Sequence, residues 1–130
     1  MTTETKLKME RQKTVLLVED HKYSMIVLKK MLEGSGIKVI QAVDGQEAVK
    51  VCQENREIDL VLMDLKMPVM DGYNAMKEIK KIKPDMTIVA ETAYALSGDK
   101  RKILDAGFDG YLPKPITKES LDEILRLNLK

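Results

Sequence analysis

Five short apolar runs, rich in β-branched residues and separated by longer stretches of helical periodicity, constrain this chain more than any other feature. The runs are Thr14–Val18, Val39–Ala42, Ile58–Met63, Thr87–Ala90 and Phe108–Leu112. The helical patterns cover 22–33, 45–55, 72–82, 98–106 and 118–128. Met25, Leu28 and Leu32 fall on one helix face, as do Leu121, Ile124 and Leu125. Gly34 and Gly36 fit a helix stop, Ser97 and Thr117 fit helix N-caps, and Pro84 cannot continue the third helix. Alternation of this kind builds a parallel sheet with helices on both faces, because each parallel connection needs a crossover. Val15–Val18 and Leu60–Met63 are apolar without alternation, as strands buried on both faces require. Right-handed crossovers then wind the sheet doubly.

With 130 residues there is room for one domain with a sizeable core. Residues 1–13 are polar, charged and aperiodic, and read as a disordered tail or an appended remnant before a domain over 14–130. The 22 basic and 21 acidic residues leave a net charge of +1, so no net field draws the chain to nucleic acid or to a membrane. Lys77, Lys80, Lys81, Lys83 and the Lys100–Lys102 cluster read as solvated helix surface. Cys52 is the only cysteine, which rules out an internal disulfide and suits a reducing cytoplasm. Its place in an amphipathic pattern predicts a buried thiol. A nucleophilic role would want a neighbouring base, and the only histidine is His21. No apolar run approaches the ~20 residues of a membrane span, and the N-terminus lacks a signal peptide's hydrophobic centre. A cytoplasmic domain is therefore expected, touching neither nucleic acid nor membrane directly.

The chemistry lies at the carboxyl ends of the apolar runs. The first ends in Glu19-Asp20, the third in Asp64 and the fourth near Thr92, and the fifth is followed by Lys114. Parallel strands deliver such residues to one edge of the sheet, where doubly wound folds place their sites. Three carboxylates, a hydroxyl and an ammonium are thus expected in one crevice. Carboxylates held together repel unless something positive enters. Oxygen ligands without His or Cys favour a hard cation, Mg²⁺ or else Ca²⁺ or Mn²⁺. Room for water and phosphate oxygens suits Mg²⁺ best, and no segment has the spacing of a calcium loop. An ammonium and a hydroxyl beside a metal-loaded carboxylate suit a transferring phosphoryl group, with a carboxylate as nucleophile. Taken singly, Asp20 and Thr92 would read as a helix cap and a turn residue. Four strand ends, each carrying a fitting residue type, weaken that reading.

The motifs Val15-Leu-Leu-Val-Glu-Asp20, Asp44-Gly-Gln-Glu-Ala48, Leu62-Met-Asp-Leu-Lys-Met-Pro-Val-Met-Asp-Gly72, Ala90-Glu-Thr-Ala-Tyr-Ala95, Ala106-Gly-Phe-Asp-Gly-Tyr111 and Lys114-Pro115 are individually weak. In this order and spacing they resemble the receiver domain of two-component response regulators, over roughly Thr14 to Leu127. The resemblance implies a flavodoxin-like five-stranded sheet of order 2-1-3-4-5. It implies Asp64 as phosphoacceptor, Asp20 as a direct Mg²⁺ ligand, Glu19 as the acidic neighbour reaching metal-bound water, and the Lys66 backbone carbonyl as a further ligand. Lys114 would pair with the phosphoryl group, Thr92 would supply the switch hydroxyl, and Tyr111 the aromatic ring that turns inward. Met67-Pro68 and Gly72 match the loop after the acceptor, and Lys114-Pro115 a bond that is often cis in this family. Lys66 and Tyr94 match positions that border the water attacking the phosphoryl group, and so would set its lifetime. Two positions depart from the pattern. Asp44 stands where asparagine is common, in a turn that tolerates either. Glu91 stands where a bulky apolar residue is frequent, and is expected to point to solvent at the crevice mouth.

The implied function is that of a phosphoprotein in a two-component phosphorelay. It accepts a phosphoryl group from a phosphohistidine on a histidine kinase or histidine phosphotransfer protein, then switches the surface of its fourth helix, fifth strand and fifth helix. As a monomer or weak dimer it would promote its own aspartyl phosphorylation and dephosphorylation without being an enzyme in its own right. The segment Thr92-Ala-Tyr-Ala-Leu-Ser-Gly-Asp99 is similar to receivers fused to hybrid sensor histidine kinases, whose full-length proteins are kinases. Ile124 stands where DNA-binding regulators place an arginine for dimerisation. A free-standing single-domain regulator is the alternative. Two more distant readings share the architecture. A nucleotide or other small-molecule binder would want glycines after the first strand, where Glu-Asp-His-Lys-Tyr-Ser stands. A Mg²⁺-dependent phosphatase would want a second aspartate just past Asp64, where Lys66 stands.

Overall fold

The structure, a computed structural model, describes residues 12–55, 57–67, 69–93 and 99–129. Its strands are β1 (Thr14–Val18), β2 (Lys38–Ala42), β3 (Leu60–Asp64), β4 (Ile88–Thr92) and β5 (Gly110–Pro113). Its helices are α1 (Lys22–Gly34), α2 (Gly45–Glu54), α3 (Gly72–Ile82), α4 (Lys100–Ala106) and α5 (Lys118–Asn128). The strands form one parallel sheet in the order β2-β1-β3-β4-β5, the order the resemblance implied. The three central strands are buried along their whole length, whereas β2 and β5 at the edges are partly exposed.

Successive side chains of a strand point to opposite faces, and the core divides accordingly. Val15, Leu17, Leu60, Leu62 and Val89 pack with Met25, Leu28 and Leu32 of α1 and with Leu121 and Leu125 of α5. Leu16, Val18, Val61, Met63, Ile88 and Ala90 pack with residues of α2, α3 and α4, among them Cys52, Met76 and Ile103. The helix faces read from periodicity are the ones buried, with Ile124 partly buried at the margin.

Side chains start most helices. Asp44 Oδ1 accepts from the Glu47 N–H at 2.8 Å, Asp71 Oδ1 does the same for Asn74, and Thr117 forms a reciprocal capping box with Ser120. Such a cap stabilises a helix by about 1 kcal/mol, so Asp44 has a structural task beyond filling a turn. Ser97 lies outside the described residues, as do residues 1–11 of the expected tail. Gln12 and Lys13 are described: Gln12 Nε2 donates to the Gly36 carbonyl, and the Lys13 carbonyl accepts from the Lys38 N–H.

The Cys52 side chain is fully buried, and burial pushes its thiol up to about 11 against the opposing charge of Lys83. The lysines expected as plain solvated surface are more engaged than that. Lys80 pairs with Asp109 at 2.8 Å, Lys83 Nζ donates to the Asn55 carbonyl, and Lys100 and Lys102 lie over the Tyr111 and Tyr73 rings. Their long aliphatic stems reach partners on neighbouring elements, a tertiary effect that helical periodicity does not register.

Candidate metal and phosphoryl site

The ends of β1, β3 and β4 and the segment after β5 meet at a crevice of about 990 Å³. Glu19 and Asp64 continue the rows of Val15 and Leu17 and of Leu60 and Leu62 on the α1–α5 face. The pairing of Val18 with Met63 sets Glu19 level with Asp64, and Asp64 is paired with Glu91. Lys114 follows β5, two residues past Leu112, and its side chain reaches back along the same face. Its Nζ lies 3.3 Å from Asp64 Oδ2 and 3.7 Å from Glu19 Oε2.

Carboxylate oxygens of Glu19, Asp20 and Asp64 lie within 4.8 Å of one another, the first and last buried and Asp20 exposed. Glu19 Oε1 accepts from the His21 N–H and Asp64 Oδ1 from the Lys66 N–H, both at 3.1 Å. Glu19 Oε2 is buried without a hydrogen bond. A buried acceptor left over in an all-oxygen cluster fits a small hard cation. Burial and the charge of Asp64 raise the pKa of Glu19, opposed by Lys114. Burial works against the Lys114 ammonium, but the carboxylates of Asp64, Glu19 and Glu91 outweigh it and hold Lys114 above its ordinary value.

Glu91 corrects an expectation. Its side chain is fully buried, not turned to solvent, and neither carboxyl oxygen has a hydrogen-bond partner. The reason is the length of β4, which runs to Thr92, two residues past the apolar run. Two residues after Val89, Glu91 must share its face, level with Asp64 on β3 and lining the crevice. Burial first, and then the charge of Glu19, drives its pKa well above the carboxylate range.

Thr92 is buried and shares the opposite face with Ala90, whose partner on β5 is Tyr111. The hydroxyl and the ring are therefore one row apart on adjacent strands. Tyr111 is half-buried, with Lys100 Nζ 5.2 Å from its ring centre. Lys66 is exposed at the rim of the crevice. Tyr94 and Pro68 lie outside the described residues. The Lys114–Pro115 peptide is cis.

Two features went unread in the sequence. Lys102 and Tyr73 line the crevice, with Lys102 Nζ 5.6 Å from the tyrosine ring centre; each looks like ordinary helix surface until α3 and α4 are placed together. Val69, in the loop after Asp64, has a φ of 69° and is largely exposed. A β-branched residue there stores strain on the order of 1–3 kcal/mol, and no local pattern announces it.

Comparison with known proteins fits this arrangement. Residues 15–126 match the family model of the response regulator receiver domain. The chain is 36% identical over 120 residues to the sensor protein GacS of Pseudomonas syringae pv. syringae, covering 88% of this chain but only 13% of that protein. It is 32% identical over 116 residues to the polar-differentiation response regulator DivK of Brucella anthropi, covering 88% and 94%. Among solved structures, it resembles the receiver domain of a sensor histidine kinase from Pseudomonas aeruginosa PAO1, which holds a magnesium ion in its active site cleft. The TM-score is 0.84 at 37% identity, covering 92% of this chain and 98% of that one. The receiver domain of Ssk1, solved with the histidine phosphotransfer protein Ypd1 of Saccharomyces cerevisiae, gives 0.82 at 32% identity, covering 91% and 90%. A match over 112 consecutive residues, from β1 nearly to the end of α5, places this chain in the response regulator receiver domain family.

Proposed function

We propose that Asp64 receives a phosphoryl group from a phosphohistidine, with Mg²⁺ held by Asp20, Asp64 and the Lys66 carbonyl and with Glu19 on metal-bound water. The observation carrying this reading is the Glu19, Asp20 and Asp64 cluster with Lys114 3.3 Å from the Asp64 carboxylate. The phosphorus–nitrogen bond of the donor breaks as a phosphorus–oxygen bond to Asp64 forms. When bound, Mg²⁺ offsets the negative charge that gathers on the transferring group. Lys114 supplies a second, fixed positive charge from the β5 side. The donor is a histidine kinase or a histidine phosphotransfer protein, the class of partner seen with the Ssk1 receiver. The likeness to GacS favours the receiver of a hybrid histidine kinase, and the likeness to DivK over nearly its whole length supports a free-standing regulator as the second reading.

The phosphorylated crevice draws in the Thr92 hydroxyl, and Tyr111 moves into the space released, shifting an existing equilibrium of the β4–α4–β5–α5 surface. Beryllofluoride, a phosphoryl mimic, is expected to move NMR resonances throughout residues 92–112. Changes confined to the neighbours of Asp64 would refute the switch. By the resemblance to receiver domains, Lys66 and Tyr94 hold the sequence positions that border the hydrolytic water, and neither residue type offers a carboxylate or amide to orient it. Dephosphorylation is therefore slow, and it accelerates when Lys66→Asn and Tyr94→Glu are combined. Phosphate release from the purified phospho-protein reads this, and an equal or slower decay in the double variant would remove both residues from that role.

A further inference from the structure

Two lysines of α4 reach over tyrosine rings on two different elements. Lys102 lies over Tyr73 of α3, a ring braced edge-on by Phe108 with ring centres 5.6 Å apart. Lys100 Nζ lies 5.2 Å from the centre of the Tyr111 ring on β5. The first contact ends on a ring held in place. The second ends on the ring that the proposed switch moves. The residues lining the crevice include neither Lys100 nor Tyr111, so the Mg²⁺ and phosphoryl readings give Lys100 no task.

An ammonium within about 6 Å of a tyrosine ring is attracted by its electron-rich face. Lys100 is exposed and Tyr111 half-buried, so the ammonium keeps much of its water while it holds the ring. It cannot follow the ring inward. Ala90 and Thr92 are buried, and a charge carried in beside them would lose its water without gaining a partner. The contact therefore exists in one of the two arrangements only, and such a contact biases the equilibrium between them. α4 is otherwise lightly held, being seven residues long with Ile103 as its one buried residue, so a modest contact counts.

We infer that Lys100 is a positioning residue that latches Tyr111 in its half-exposed place, so that phosphorylation must break this contact to throw the switch. This inference rests on the proposed Thr92 and Tyr111 switch and deepens it.

Beryllofluoride titration in Mg²⁺, followed by NMR of the Tyr111 ring and the Lys100 side chain, tests the latch. In the native chain the Lys100 methylene protons next to nitrogen are expected upfield, under the ring current of Tyr111, and to move back as beryllofluoride binds. Lys100→Met, similar in length but uncharged, is expected to carry the Tyr111 resonances part of the way to their bound positions with no ligand present. It is also expected to tighten beryllofluoride binding by about two- to fivefold, the worth of one such contact at an exposed site. Mere loss of a positive charge would act in the opposite direction and weaken the binding of an anion. Lys100→Arg keeps the contact and is expected to behave as the native chain. On a Tyr111→Leu background Lys100→Met is expected to change the affinity little, because the ring it acts through is gone. Melting checks that each variant is folded, and Lys100→Gln takes the place of a methionine variant that is not. Unchanged or weaker binding in Lys100→Met would overturn the inference, as would an undiminished gain on the Tyr111→Leu background. A native chain whose Tyr111 ring stayed still at saturating beryllofluoride would instead overturn the switch, and the latch with it.

Discussion

Asp64→Asn is expected to abolish the phospho-adduct that the native chain forms with acetyl phosphate in Mg²⁺, as read by intact mass. The asparagine keeps the size of the side chain and can keep the bond from the Lys66 N–H. It removes the negative oxygen that attacks phosphorus and that faces Lys114 at 3.3 Å. Loss of a nucleophile costs on the order of 10⁴-fold or more in rate, which leaves no adduct on the time scale of labelling. EDTA is expected to suppress labelling of the native chain as well, because Lys114 alone cannot balance Glu19, Asp20 and Asp64 together with an incoming phosphoryl group. Melting of the variant shows that it is folded. An adduct that survives Asp64→Asn, or one that forms freely in EDTA, would refute the assignment. Asp20→Ala is the companion variant and is expected to lose Mg²⁺ binding, since so few ligands cannot spare one.

The second large effect is expected at Gly72, through packing. α3 begins against the peptide that follows the acceptor, and the Gly72 N–H donates to the Leu65 carbonyl at 3.2 Å. A methyl group on Gly72 would fall on the Asp64 carbonyl oxygen and lie 2.9 Å from Leu65 Cα. Both are backbone atoms, so no rotamer change relieves the clash. Gly72→Ala is therefore expected to cost at least ~2 kcal/mol in urea denaturation, and to weaken Mg²⁺ binding by displacing the turn that carries the Lys66 carbonyl. Gly34→Ala is the control: a Cβ there meets nothing within 4 Å, and alanine is the better helix former, so the stability of this variant should equal or exceed that of the native chain. If Gly72→Ala were as stable as Gly34→Ala, the tight seat of α3 on the acceptor loop would be refuted.

Much of the site was legible because a parallel sheet is a simple address system. Once the apolar runs are strands, their C-terminal residues share one edge, and Glu19, Asp20, Asp64, Thr92 and Lys114 are gathered without knowledge of any contact. Cys52 and the buried faces of α1 and α5 followed equally well, since helical periodicity and burial express the same geometry. Strand ends were less legible. Apolar residues mark where the core stops, while the hydrogen-bonded ladder stops where backbone partners run out. On β4 the two differ by Glu91 and Thr92.

That difference separates what the sequence by itself determined from what the tertiary structure alone decided. Strand–helix alternation, unbroken apolar strands and the residue types at their ends depend on local composition and spacing. They are sufficient for the architecture and for the chemical class of the site. Which face Glu91 takes, how near Lys114 comes to Asp64, and how closely Gly72 seats on the acceptor peptide depend on pairing between segments far apart in the chain. Charge shows the contrast most clearly. A glutamate next to an apolar run belongs in water by its own hydration, but a ladder shared with β3 and β5 fixes its direction and buries it. The backbone bonds of that ladder and the packing of its neighbours outweigh the preference of one carboxyl group for water.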